Sequence, residues 1–153
     1  MVEIPEALLH DIDTIAQRLD VSPSRLLQVA LEHFLAQYAE QPLVNQGDVY
    51  WLQRVDSDIP HPHVVIQDDV LNHSRIHTVV VCSLTSNIQR VNMPGNVLLE
   101  AGEANLSKQS VVEISKVTTA NKAQLGEYIG SLSKGRVEQI LAGMRFIQSS
   151  FGG

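Results

Sequence analysis

Between residues 61 and 82 the chain gathers four of its six histidines (His61, His63, His73, His77), the pair Asp68-Asp69 and its one cysteine, Cys82. Histidine changes charge near neutral pH, so it can act as a general acid, a general base or a metal ligand. A metal site needs ligands at matched spacings. Neither these histidines nor the lone cysteine provides them, so no metal centre and no cofactor is expected. Cys82 lies inside an apolar run and reads as a small buried hydrophobe. Adjacent strand residues point to opposite faces, so Asp68-Asp69 reads as a turn that ends a strand, whereas His61 and His63 would share a face.

These side chains sit in a chain of 153 residues, enough for one ordinary domain or for a small segment plus a domain of roughly 100 residues. Charge divides it. Residues 1–40 carry seven acids (Glu3, Glu6, Asp11, Asp13, Asp20, Glu32, Glu40) against Arg18 and Arg25, a net of −5, while the remainder carries ten acids and nine bases. An acidic balance argues against broad, sequence-independent grip on nucleic acid, which rests on phosphate neutralisation, so any such contact must use a local groove. No apolar run approaches the ~18–20 residues of a membrane span, and no signal peptide or disulfide framework is present, so a cytosolic protein without membrane contact is expected.

The first part has helical period. Val2–Ile4 is an extended stub, and Pro5 suits a first helical turn. Leu8, Leu9, Ile12, Ile15, Ala16 and Leu19 then form one apolar stripe. Asp20-Val21 interrupts it. Ser22-Pro23 signals a new N-terminus, and Leu26, Leu27, Ala30, Leu31, Phe34 and Leu35 form a second stripe. Over residues 2–35 this resembles the ribbon-helix-helix family of dimeric repressors, which includes many antitoxins. In that family an intertwined two-stranded ribbon reads the DNA major groove with polar or basic residues. Here the stub is nearly absent and its polar member, Glu3, repels phosphate, so a dimerising helical pair is expected and DNA binding is disfavoured.

Residues 39–46 read as a linker, with Pro42 breaking helix continuity. From there the period changes to 2. Asp48–Leu52, Pro62–Gln67, His77–Cys82, Asn96–Leu99 and Ser110–Ile114 are β-rich runs bounded by turn residues, and five short strands so closely spaced imply a small curled sheet or barrel. Leu125, Tyr128 and Ile129 have the spacing of a short helix, and Val137, Ile140, Leu141, Met144 and Ile147 that of a final amphipathic one. The expected class is α+β, with domains at 1–38 and 47–153.

In the second part "GDVYWL", "HPHVVIQDD", "VVVCSLTSN", "PGNVLLEAGEANLSKQSVV" and "LGEYIGSLSKGRVEQILAGMRF" follow one another. From about residue 46 to residue 151 this order resembles the MazF/PemK/Kid toxin family. The resemblance implies an SH3-like β-barrel with a C-terminal helix, a homodimer, and metal-independent cleavage of single-stranded RNA, mRNA included, to a 2′,3′-cyclic phosphate and a 5′-hydroxyl. Such cleavage requires a base for the ribose 2′-hydroxyl, donors or cations for the charge growing on phosphate, and a donor for the leaving 5′-oxygen.

In the family an Arg-Pro pair opening the second strand and a Thr or Ser ending the third supply the central contacts. Thr85, followed by Ser86, matches the latter. Where Arg-Pro is expected this chain has His61-Pro62, and histidine can shuttle a proton but lacks the permanent bidentate guanidinium fork. The preceding loop, "QRVDSDIP", is shorter than usual and lacks the family's Gly-Ser-Glu-Gln stretch. Either His61 replaces the arginine as proton shuttle, or it is a polar residue entering a strand of an altered barrel. Arg54 and Arg75 are candidates to compensate. Lys108 occupies a place where the family often has a residue near the dimer face or the substrate path, the plainer reading being a solvated lysine in a turn, and Ser110 follows at a strand entrance.

Three functions follow: a ribonuclease toxin, a barrel that binds RNA or an antitoxin without cleaving, or a DNA-binding regulator, the last opposed by the acidic stub. Two dimerising units in one chain also allow tetramers.

Overall fold

The computed structural model describes residues 3–39, 43–53 and 57–151. The backbone divides into two compact units, Met1–Pro42 and Leu43–Gly153.

The first unit is a helical hairpin. Helix α1 spans Glu6–Leu19, with Pro5 at its N-cap, and ends on Asp20 in the left-handed conformation (φ 54°). Helix α2 spans Pro23–Ala39, and the Ser22 hydroxyl accepts from the Arg25 amide at 3.1 Å, satisfying one of the otherwise unpaired first-turn donors. Both helices start where the Pro5 and Ser22-Pro23 signals place them. Glu3 and Ile4 form no strand: a lone stub has no ladder partner among the described residues. Val2 lies outside the described residues. Ala16 is buried in this unit, while Leu8, Leu9, Ile15, Leu31, Phe34 and Leu35 remain exposed.

The second unit is a curled antiparallel sheet of β1 (Asp48–Gln53), β2 (Pro60–Val65), β3 (Thr78–Thr85), β4 (Val97–Leu99), β5 (Ser110–Asn121) and β6 (Tyr128–Ser131) in the order β4-β5-β3-β2-β1-β6. A one-turn helix α3 (Asp69–Asn72) joins β2 to β3, and helix α4 (Lys134–Phe151) closes the unit. Period-2 alternation sends successive side chains into two clusters. Val49, Val64, Leu84 and Val112 pack on one face with Ile140 of α4, while Tyr50, Val65, Val79 and Val81 pack on the other. The α+β class and curled sheet with C-terminal helix match expectation.

Three details depart from it. There are six described strands, because Tyr128–Ser131 pairs with β1 instead of forming the short helix that Leu125, Tyr128 and Ile129 suggested. Spacing of three and four is ambiguous in so short a run, and the open edge of β1 decides it. Strand β5 runs seven residues past Ile114 because it bends: Cys82 pairs with Val117 but Leu84 already with Val112, so the intervening β5 residues bulge out and the sheet curls. The end of the expected linker belongs to the barrel unit. Val44 is fully buried, and the Gln46 amide donates to Asp69 Oδ1 at 2.6 Å. Residues 40–42 of that linker lie outside the described residues.

Asp68 and Asp69 do form a turn, with Asp68 capping α3 by accepting from the Val70 amide at 2.8 Å. Burial raises the Asp69 carboxyl, but the hydrogen bonds from Gln46 and Asn72 outweigh it and hold the group below its ordinary value. Cys82 is buried, its Sγ donating to the Glu113 carbonyl at 2.9 Å. Burial, then the Glu113 charge, pushes its thiol up to about 12, which removes it as a thiolate nucleophile. No helix among the described residues is long and apolar enough to cross a membrane.

Candidate functional site

A cleft of about 690 Å³ opens at the end of the sheet where β3 finishes. Its residues come from five stretches distant in sequence: Trp51 on β1, His61 and Pro62 entering β2, Leu84 to Ser86 at the end of β3, the loop Asn105–Lys108 with Ser110 opening β5, and Glu127 to Ile129 at the entry to β6. Five candidates from the sequence, His61, Thr85, Ser86, Lys108 and Ser110, therefore meet in one place. Arg75 does not join them. It is exposed in the turn before β3, at the opposite end of that strand from Thr85. Arg54 lies outside the described residues.

The side chains are held differently. Thr85 Oγ1 accepts from the Asn87 amide at 3.2 Å, which fixes the hydroxyl at the strand terminus and leaves its proton to donate. Ser110 is buried and donates to the Lys108 carbonyl at 3.1 Å, so it shapes the loop that carries Lys108. His61 pairs across the sheet with Leu52, whose side chain packs in the second cluster, while the neighbouring pair Trp51 and Pro62 lines the cleft. His61 thus borders the cleft from the second residue of β2, at its rim. His63 is buried, with Nδ1 2.9 Å from the His61 carbonyl oxygen, and lines a separate hollow with Leu52 and Ser83. The two histidines do not meet in one site.

The loop between β4 and β5 is strained and clamped. Ala104 (φ 49°) and Asn105 (φ 58°) both adopt left-handed backbone, which costs of order 1–3 kcal/mol each and persists only where the surroundings over-determine it. Those surroundings are visible. Arg136 of α4 grips Glu103 with Nε at 2.8 Å and a second nitrogen at 3.0 Å, and Asn105 Nδ2 donates to the Ile129 carbonyl at 3.0 Å. The Arg136 hydrogen bonds hold the Glu103 carboxyl below its ordinary value, and Glu103 raises Arg136 in return. Gly130 lets the loop close, because a Cβ there would collide with the Ala104 backbone.

Sequence reasoning missed Trp51, Asn105, Glu127 and Tyr128. Trp51 read only as one residue of a β-rich run, and Tyr128 as part of a short helix. No local signal showed that β1 and β6 would pair to bring them to the same cleft.

With this geometry in view, residues 45–147 match the family described as the PemK-like, MazF-like toxin of type II toxin-antitoxin systems. The chain belongs to the PemK/MazF-like toxin family. It is 32% identical over 108 residues, 67% of this chain and 95% of the relative, both to endoribonuclease MazF2 of Mycobacterium bovis and to endoribonuclease MazF6 of Mycobacterium tuberculosis. Among solved structures, a mycobacterial endoribonuclease in complex with its cognate antitoxin superposes with a TM-score of 0.60 at 19% identity, covering 69% of this chain and 95% of that one. M. tuberculosis toxin MazF-mt6 superposes with a TM-score of 0.54 at 20% identity, covering 63% and 91%. These superpositions establish the shared fold. The family match begins at residue 45, so the helical hairpin stands outside it.

Proposed function

We propose that this chain is an endoribonuclease that cleaves single-stranded RNA without a metal ion, by attack of a ribose 2′-hydroxyl on the adjacent phosphate. The observation that carries the reading is the meeting of Thr85, Ser86, Lys108 and His61 around one cleft in a PemK/MazF-like barrel. In this mechanism His61 takes the 2′-hydroxyl proton, and the new 2′-oxygen–phosphorus bond displaces the 5′-oxygen. The leaving oxygen regains a proton, giving a 2′,3′-cyclic phosphate and a 5′-hydroxyl. Thr85 and Ser86 donate to the phosphate oxygens, and Lys108 offsets the charge that grows there. With an overall charge of −6, RNA approach depends on this local cation rather than on the surface at large.

A second reading, a barrel that binds RNA or an antitoxin without cutting, is favoured by the rim position of His61 and by its replacing an arginine fork. Incubating the purified chain with mixed-sequence single-stranded RNA in EDTA, beside His61→Ala and Thr85→Ala, separates the two. Cyclic-phosphate ends that disappear in both variants are expected. Intact RNA with clean, folded wild-type protein would move the assignment to the binding module.

Partners follow from the same reading. An antitoxin is the expected protein partner, since a structural relative was solved with its cognate one. The barrel works as a homodimer, and the helical hairpin, with Leu8, Ile15, Leu31 and Phe34 exposed, pairs with a second copy of itself. Together the two contacts allow a tetramer, and the hairpin governs assembly more than activity.

A further inference from the structure

Lys108 is the one permanent cation lining the cleft among the described residues, and its side chain does not fix its own position. It is exposed and makes no hydrogen bond or ion pair with a described residue. A lysine ammonium is a point charge on a flexible stem, so the backbone beneath it decides which part of the cleft it serves. Whatever holds that backbone acts on the site.

The hold comes from side chains outside the cleft. Glu103 Oε2 accepts from the Glu100 amide at 2.6 Å, and Glu100 Oε2 accepts from Gln109 Nε2 at 2.8 Å. Gln109 directly follows Lys108, so this chain of bonds ties the start of the β4–β5 loop to its end. Between them Leu106 is buried in the barrel core, its amide donating to the Glu103 carbonyl at 2.9 Å and its carbonyl accepting from the Gly102 amide at 2.8 Å. Both routes to Lys108 begin at Glu103.

Glu103 is set in turn by Arg136. Besides the two nitrogens on the Glu103 carboxylate, the third, Nη1, donates to Gln139 Oε1 at 2.9 Å, so the guanidinium is oriented at every nitrogen. Arg136 stands in the first turn of α4, where the helix dipole disfavours a cation, so the stability of α4 does not account for it. Neither Arg136 nor Glu103 lines the cleft. Ala104 and Asn105, left-handed between Glu103 and Leu106, relax toward ordinary backbone once the grip loosens, and carry the segment ending at Lys108 with them.

We infer that Arg136 and Glu103 are positioning residues for the reaction: acting through the β4–β5 loop, they place the Lys108 ammonium beside the hydroxyls of Thr85 and Ser86. The inference rests on the ribonuclease reading in taking Lys108 as the cation that offsets charge on phosphate. It adds to the site a helix whose side chains touch no substrate. Loss of the grip acts on the transition state, where that charge is greatest.

The test is a double-mutant cycle on the full chain, read as kcat and KM for cleavage of a mixed-sequence single-stranded RNA. Binding of the 2′-fluoro form of the same RNA, which lacks the attacking hydroxyl, is measured beside it. Arg136→Gln should lower kcat on the order of ten- to a hundredfold, the scale of a charge displaced by about an ångström, with KM nearly unchanged. Glu103→Gln should act in the same direction. Arg136→Lys, which keeps the charge without the two-pronged grip, should recover only part of the loss. In a Lys108→Ala background the same substitutions should change little, because the group they place is gone. A merely structural role predicts the opposite. Losses of equal size in both backgrounds, in variants shown to be folded by circular dichroism, would overturn the positioning role and leave the ribonuclease reading standing. RNA bound but uncut by wild-type protein would overturn the ribonuclease reading, and the same cycle read in Kd would then decide the positioning. Neither binding nor cleavage by wild-type protein would overturn both.

Discussion

The barrel unit closes its own core and the helical hairpin does not. In the barrel, alternating strands feed two clusters, and Val49, Val64, Val79, Val81, Val111 and Val112 are all fully buried. In the hairpin the apolar stripes are as regular in sequence, but two helices of 14 and 17 residues present too little surface to each other to cover them. Amphipathic pattern determines that helices form. Burial requires a partner layer, and the described residues of the hairpin do not supply one to each other.

The sharpest way to probe this contrast is a deep truncation in the barrel. Leu84 is 1% exposed, and Leu84→Ala should cost about 2–5 kcal/mol in chemical denaturation. A loss below about 1 kcal/mol would mean that the barrel core is not the self-sufficient layer described. A smaller effect is expected at the clamp between α4 and the β4–β5 loop. Glu103→Gln should cost about 1 kcal/mol at neutral pH, the scale of a bidentate pair still partly screened by solvent. Because the Glu103 carboxyl is held below its unfolded value, this stabilisation is complete above the ordinary glutamate range and is lost as pH falls through the depressed value. The gap between wild type and variant should therefore narrow on acidification, and a gap that stays constant with pH would assign the loss to packing. The smallest effect on the barrel should come from the largest deletion. Removing residues 1–40 should leave its unfolding midpoint nearly unchanged while lowering the assembled mass in sedimentation. A steep rise in cellular toxicity on the same deletion would show instead that the hairpin restrains the site.

Much of this was legible before any coordinates. Period-2 runs marked β1 to β4 and the start of β5, helical stripes marked α1, α2 and α4, and Ser22-Pro23 marked the second helix start almost to the residue. What local pattern missed depends on pairing. Tyr128–Ser131 is a strand because β1 offers an open edge. Residues 115–121 continue β5 because a bulge turns them back along β3, although most of them are exposed and show no apolar alternation.

The sequence by itself determined the two-part organisation, the α+β class and the ordered motifs shared with PemK/MazF-like toxins, because these are written in residue type and spacing. Only the tertiary structure decided which side chains meet. It gathered His61, Thr85, Ser86, Lys108 and Ser110 from three separate stretches, left Arg75 at the far end of β3, and brought β1 and β6 to the same cleft. The physical reason is that a cleft is made by the curl and register of strands far apart in the chain. Curl comes from a bulge, and the β4–β5 loop closes on β6 through the close approach of Gly130 to Ala104; neither leaves a periodic mark on the sequence.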